Sequence, residues 1–235
     1  MSNIDSINWK QVEIDIQNQG FAITNPFMSD EECLNFIDNF ENENIYRSTI
    51  DMKRYNFGKG TYRYFKYPMT DKVQELREKF YKQLVSSAND LSSKLKIEMR
   101  YPVTFKGFKK VLEDNGQTKS TPLILRYTKD DYNCLHQDIG SDIIFPYQVV
   151  IGLSDLGIDY EGGELILTQQ RPRMQTIPYI LKIPKGAAVI FSSHFHPVLG
   201  KRGYYRSIFK HGVGKITKGN RYTLGLVFHD YMEKV

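Results

Sequence analysis

The spacing of apolar positions changes once along the chain, near Pro122. Before it, apolar residues recur at helical intervals through three segments. "SINWKQVEIDIQNQG" has helical spacing and ends on a capping glycine, Gly20. "SDEECLNFIDNF" opens with Ser29 and Glu32 at the separation of a capping box. The longest helix is predicted over "DKVQELREKFYKQLVSSANDLSSKL", from about Thr70 to Leu95. One short strand-like run, "FAITNPF", interrupts them.

After Pro122 the apolar residues gather in short β-branched and aromatic runs. "PLILRYT", "FPYQVVIGLS", "GELILTQ", "YILKIP", "GAAVIFSS", "YYRSIFKHGVGKI" and "RYTLGLVFH" are separated by Gly, Pro, Asp and Asn. Many short strands at near-regular spacing predict a sandwich or barrel. The expected fold is mainly β with flanking helices, a jelly roll. With no linker between the halves, residues 1–235 read as one domain, 1–121 as helical support and lid and 122–235 as the jelly-roll core.

Composition narrows the class. At 40% hydrophobic and 25% charged residues, the chain is an ordinary globular protein rather than a disordered one. No apolar run reaches the length of a membrane helix, so no membrane partner is expected. The first twenty residues lack the basic-then-apolar pattern of a secretion signal. Two cysteines, Cys33 and Cys134, are too few for a disulfide framework, and a reducing cytoplasm is expected.

The net charge of +5 is unevenly placed. Between Leu165 and His229 there are eleven lysines and arginines and no carboxylate, so the rest of the chain is net acidic. Such a stretch suits an anionic partner: nucleic acid, a phosphorylated or carboxylated small molecule, or an acidic protein surface. A solvated basic rim explains it equally well.

The candidate chemistry lies in "DYNCLHQDIG", residues 131–140. In extended backbone, residues i and i+2 point to one side, so His136 and Asp138 can reach a single ion. A third ligand must come from a later strand, and His196 and His211 compete for the place. Arg206 follows His196 by ten residues and Arg221 follows His211 by ten. "HGVGKI", "TKGN" and "RYTLGLVF" read as strand, Gly-Asn turn and returning strand, a hairpin that would face His211 and Arg221 to one interior. "PVLGKRGYY" reads as an irregular turn, so His211 is preferred.

Two histidines and a carboxylate with open positions are the facial triad of non-haem iron(II) oxygenases. A nearby arginine supplies the fork that a dicarboxylate cosubstrate such as 2-oxoglutarate needs. Zinc would take a tetrahedral arrangement and leave Arg221 unexplained.

"LHQD", "EGGELIL" and "HGVGKITKGNRYTLG" resemble the 2-oxoglutarate- and Fe(II)-dependent dioxygenase superfamily. "GKGTYRYFKYP", "RYTKDDYNCLHQD", "LTQQRPRMQ" and "LGLVFHD" are similar to a bacterial oxygenase family proposed from sequence to act oxidatively on damaged nucleic acid. The likeness runs from about Asn56 to Asp230. It implies a double-stranded β-helix with iron on His136, Asp138 and His211, 2-oxoglutarate on Arg221, and O2 as the oxidant. It also implies that Tyr127 and Leu165 touch the cosubstrate. By strand alternation, Val213 and Thr223 would complete that wall. The chain departs from AlkB-type nucleic-acid demethylases, whose cosubstrate arginine lies farther beyond the distal histidine and is followed six residues on by another arginine. Val227 stands at that second place, and the ten-residue gap is more similar to prolyl-hydroxylase-like enzymes.

Three further features have two readings each. "RYNFGKGTYRYFKYP", residues 54–68, interleaves Tyr62 and Tyr64 with cations; it suits stacked nucleotides beneath a mobile lid, or is an edge strand beside the barrel mouth. Arg206, in the basic run 199–211, would steer an anionic substrate or sit in a solvated loop. Cys134 would face the metal side or be a small buried residue. The expected function is hydroxylation of a nucleic-acid substrate, with loss of formaldehyde where the target is a methylated base. The alternatives are a hydroxylase of a protein side chain or small metabolite, a jelly-roll binding module without turnover, and an electrostatic nucleic-acid binder.

Overall fold

The computed structural model describes residues 3 to 232. Four α-helices, α1 (Trp9–Gln19), α2 (Asp30–Asp38), α3 (Asp71–Lys94) and α4 (Phe105–Asp114), flank the strands. The first strands are β1 (Phe21–Ile23), β2 (Tyr46–Asp51), β3 (Gly58–Lys59), β4 (Thr61–Phe65) and β5 (Gln117–Lys119). Next come β6 (Leu123–Tyr127), β7 (Tyr132–His136), β8 (Tyr147–Gly152), β9 (Tyr160–Gly162), β10 (Leu165–Gln170) and β11 (Ile177–Leu181). The last are β12 (Ala188–Ser192), β13 (Phe195–Gly200), β14 (Gly203–Val213), β15 (Ile216–Gly219), β16 (Arg221–Leu226) and β17 (Tyr231–Met232).

The strands form a seven-stranded major sheet, β1-β12-β8-β16-β6-β4-β2, and a minor sheet, β11-β10-β14-β7-β3, with β13 added beside β14. This is the expected jelly roll, with one difference of composition. β1, β2 and β4 join the major sheet, so the first 121 residues supply strands as well as helices.

Side-chain alternation divides the major sheet into two faces. Ile124, Val149, Ile151, Leu224 and Leu226 belong to one buried core with Val73, Leu76, Phe80, Leu84 and Leu91 of α3. The α3 residues recur every three to four positions, which places them on one stripe. The other face looks toward the minor sheet. There Leu165, Leu167, Phe191 and Phe209 fill one end of the space between the sheets. The other end is open.

The helix ends follow the sequence. Asn8 caps α1, which closes on left-handed Gly20, and the Ser29–Glu32 capping box forms in both directions at α2. Buried Arg77 of α3 pairs with buried Asp230 at 2.6 Å and donates to the carbonyls of Val227 and Phe228. That pair fixes the segment after β16 against α3.

Two local expectations are corrected. β14 and β16 are not a hairpin: β15 between them pairs with β9, and β16 lies in the other sheet between β6 and β8. Conversely, the stretch read as an irregular turn is a regular hairpin, β13 with β14, closing at Gly200↔Gly203. Helix α4 was not expected. Among the described residues, no helix is long and apolar enough to cross a membrane.

Candidate metal centre and its cavity

His136 ends β7 directly across the ladder from His211 of β14. The register slips between His211 and Val213, a bulge of the kind that re-aims a side chain. The two rings stand 4.2 Å apart between centroids. Asp138, two residues past the strand, brings Oδ1 to 3.7 Å from His136 Nε2 and Oδ2 to 3.5 Å from His211 Nε2. One donor atom from each side chain lies within 4.8 Å of the others. His196 takes no part; it is buried beside Phe209, opposite Ser207.

Neighbouring groups fix these orientations. His136 Nδ1–H donates to the carbonyl of Cys134 at 2.8 Å, which leaves Nε2 as the lone pair facing the other ligands. Gln137, between the two ligands, donates to the Phe209 carbonyl at 2.8 Å and ties the loop to β14. Gln148 of β8 donates Nε2–H to Asp138 Oδ2 at 2.8 Å. Burial pushes the Asp138 carboxyl up, but His211, His136 and the Gln148 amide together hold it below its ordinary value. Burial and the neighbouring His136 push the His211 imidazole down. An ionised carboxylate and a neutral imidazole are the forms that bind metal. Two imidazoles and a carboxylate on one side of an open space suit iron(II).

The same space continues to Arg221. The cavity has a volume of about 970 Å³, and His136, Asp138, His211 and Arg221 all line it. Arg221 opens β16 in register with Tyr127 of β6 and is 2% exposed. Its Nε and Nη1 are buried without a hydrogen-bond acceptor. A buried guanidinium in that state is costly, and a ligand carboxylate would satisfy both N–H groups at once. Tyr127 and Tyr160 flank it, with ring centroids 5.7 and 5.9 Å from Cζ. Gly163 makes room: at φ +66° a Cβ there would meet Ile216 Cδ1 at 2.0 Å and Arg221 Cδ at 3.1 Å. Tyr127, Leu165, Val213 and Thr223 line the cavity.

Residues 60–231 match the profile of a family described as an oxygenase, catalysing oxidative methylation of damaged DNA. The chain belongs to this oxygenase family. An uncharacterized protein of Mycobacterium tuberculosis (strain H37Rv) is 38% identical over 166 residues, covering 71% of each chain. The oxygenase also shares its double-stranded β-helix fold with solved 2-oxoglutarate/Fe(II) oxygenases. A Pseudomonas putida prolyl-4-hydroxylase superposes with TM-score 0.56 at 13% identity, covering 96% of this chain and all of that one (100%). A 2OG-Fe(II) oxygenase family oxidoreductase from Burkholderia pseudomallei gives 0.57 at 14% identity, covering 99% and 95%.

Of the expected substrate residues in this oxygenase, Tyr62 and Tyr64 line the cavity. They sit on β4, an interior strand rather than an edge, because β2 pairs along its outer side. Arg206 is not brought there: it is exposed on β14 with Cζ 5.0 Å from the Phe195 ring centroid. Its exposure follows from the hairpin, which carries it along the outer part of the minor sheet. Cys134 is exposed and lines the cavity, so it is not a buried packing residue.

Sequence reasoning missed Gln148, Arg47 and Tyr231, all of which line the cavity. Gln148 had a visible mark, a polar residue inside the apolar run "FPYQVVIGLS". The other two carried none: Arg47 falls there through the place of β2 at the edge of the major sheet, and Tyr231 through the pairing of β17 with β5.

Proposed function

We propose that the chain is an Fe(II)- and 2-oxoglutarate-dependent dioxygenase that hydroxylates nucleic acid. One observation carries the cofactor assignment: three metal donors and a buried, unpaired arginine share one cavity. His136, Asp138 and His211 would hold iron, and Arg221 would take the distal carboxylate of 2-oxoglutarate. When bound, the pair reduces O2 as 2-oxoglutarate is decarboxylated to succinate, and one oxygen atom is delivered to a substrate C–H bond.

The protein's own tasks are positional. Gln148 and the Cys134 carbonyl would orient two ligands, and Tyr127, Leu165, Val213 and Thr223, which line the cavity, would wall the cosubstrate from water. On an N-methylated base, hydroxylation of the methyl group gives an unstable hemiaminal that loses formaldehyde.

The family description, with its damaged-DNA substrate, favours nucleic acid. So does the aromatic wall of Tyr62, Tyr64 and Tyr231. A protein side chain is the second reading, favoured by the ten-residue spacing of His211 and Arg221 and by the prolyl-hydroxylase likeness in fold. Succinate release with Fe(II), measured with methylated single-stranded oligonucleotides against peptide pools, discriminates between them. Stimulation by oligonucleotides alone is expected; stimulation by peptides alone overturns the nucleic-acid reading. No 2-oxoglutarate turnover from an iron-loaded chain would leave a binding module.

A further inference from the structure

The cavity holds a second arginine that the iron and cosubstrate do not use. Arg47 lies on β2, at the edge of the major sheet, and lines the cavity. Its Nε donates to the Ser120 carbonyl at 2.8 Å and Nη1 reaches Ser48 Oγ at 3.4 Å. Its Cζ stands 4.2 Å from the centroid of the Tyr64 ring. These contacts are all with neutral groups, and among the described residues Arg47 makes no ion pair. Its neighbours differ. Arg63 on β4 and Arg126 on β6 both grip Glu41, each at 2.5 Å. Arg47 is thus a half-buried cation that pairs with no carboxylate among the described residues, with Asp230 acting on its charge without a direct ion pair.

The wall beside it is aromatic. Tyr62 and Tyr64 meet edge to face at 5.2 Å, and Tyr64 and Tyr231 do the same at 6.2 Å. Asp138 is the one carboxylate among the described residues lining the cavity. The cavity volume of about 970 Å³ sits at the upper end of the roughly 300–1,000 Å³ usual for ligand sites. That leaves room for more than a five-carbon diacid. A planar ring with an attached anion matches this lining: aromatic faces for the ring and a planar fork for the anion.

We infer that Arg47 is the phosphate-binding residue for a single nucleotide whose base lies against Tyr62, Tyr64 and Tyr231. This deepens the nucleic-acid reading and rests on it for the substrate class. It adds that one nucleotide enters the cavity with its phosphate, so Arg47 reads the backbone and the tyrosines hold the base. Arg47 senses the anion and not the base identity, because phosphate contacts position without specifying.

Calorimetric titration of the full chain, wild type and Arg47→Gln, tests this. The probes are the four 2′-deoxynucleoside 5′-monophosphates and the four matching nucleosides. At least one monophosphate should bind the wild type about tenfold tighter than its nucleoside, the size of one charge-assisted contact. Arg47→Gln should abolish that gap and leave the nucleoside and 2-oxoglutarate affinities unchanged. Arg47→Lys, which keeps the charge without the fork, should retain part of the gap and serves if the glutamine variant does not fold. Unchanged monophosphate binding in Arg47→Gln overturns the inference, even where methylated oligonucleotides still stimulate succinate release. Absence of any nucleotide binding, with turnover stimulated by peptides, overturns both the inference and the reading beneath it.

Discussion

Gln148 reaches from β8 of the major sheet to Asp138, beyond the end of β7 in the minor sheet, and donates a hydrogen bond to Oδ2 at 2.8 Å. One ligand is therefore oriented by the sheet that faces it. This has a consequence for metal binding. Gln148→Leu keeps the volume but removes the donor, leaving Asp138 free to rotate. Loss of such an outer contact costs about 10–100-fold in metal affinity. Anaerobic Fe(II) titration should show a loss in that range, and unaltered affinity would show that Asp138 is held by its other contacts alone.

Arg221 predicts opposite effects on stability and on cosubstrate binding. Its Nε and Nη1 are buried without acceptors, a cost the folded chain carries until an anion arrives. Arg221→Met should leave the chain at least as stable to heat without 2-oxoglutarate. It should also remove most of the rise in Tm that 2-oxoglutarate gives the wild type, and weaken 2-oxoglutarate binding by about 100-fold, roughly the worth of a lost bidentate pair. Fe(II) affinity should stay unchanged. A variant that keeps its 2-oxoglutarate affinity would assign the carboxylate to another group.

His211 and His196 separate the ligand from its competitor. His211 stands opposite His136 in the ladder, whereas His196 faces Ser207 and touches Phe209. His211→Ala should lower Fe(II) affinity by at least about 100-fold, as expected when one of three ligands is lost. His196→Ala should leave it within twofold of wild type in the protein that folds. Equal effects of the two substitutions would contradict the assignment of the third ligand.

The site was legible because its residues carry chemistry at fixed spacings. His136 and Asp138 needed only the two-residue period of extended chain, and the His211–Arg221 gap marked the second half. The reason given for that convergence was nevertheless wrong. The Gly-Asn turn is present, with Gly219 at φ +74°, but it leads from β15 into a strand of the opposite sheet. Turn chemistry says that the chain reverses and not which strand it then joins. His211 and Arg221 share a cavity because two sheets face each other. Helix α4 was overlooked although Thr104 caps it and Phe105, Phe108 and Leu112 are buried at helical spacing; Gly107 in its first turn weakened the local pattern. Gln148 carried the local mark of a polar residue inside an apolar run, whereas Arg47 belongs to the site only through pairing across long sequence separations, which no local pattern encodes.

Stability should fall as the solution is made acidic, in part through two buried histidines outside the His136–Asp138–His211 cluster. His196 and His229 are 2% and 0% exposed. Burial pushes each imidazole down to about 4, with cationic neighbours adding to this at His196. At His229 the backbone N–H of Phe145 donates to Nδ1, a contact that requires a lone pair and therefore the neutral ring. In the unfolded chain each histidine takes up a proton near pH 6.5, while in the folded chain each stays neutral until about pH 4. The unfolded state thus binds more protons between these values, and stability declines as pH falls through that window. The full shift corresponds to roughly 3 kcal/mol per histidine, an upper figure. Urea denaturation of the metal-free chain from pH 7 to pH 4 should show the midpoint falling, and His196→Gln should flatten part of the slope. A midpoint constant across that range would mean that both imidazoles are protonated in the folded protein.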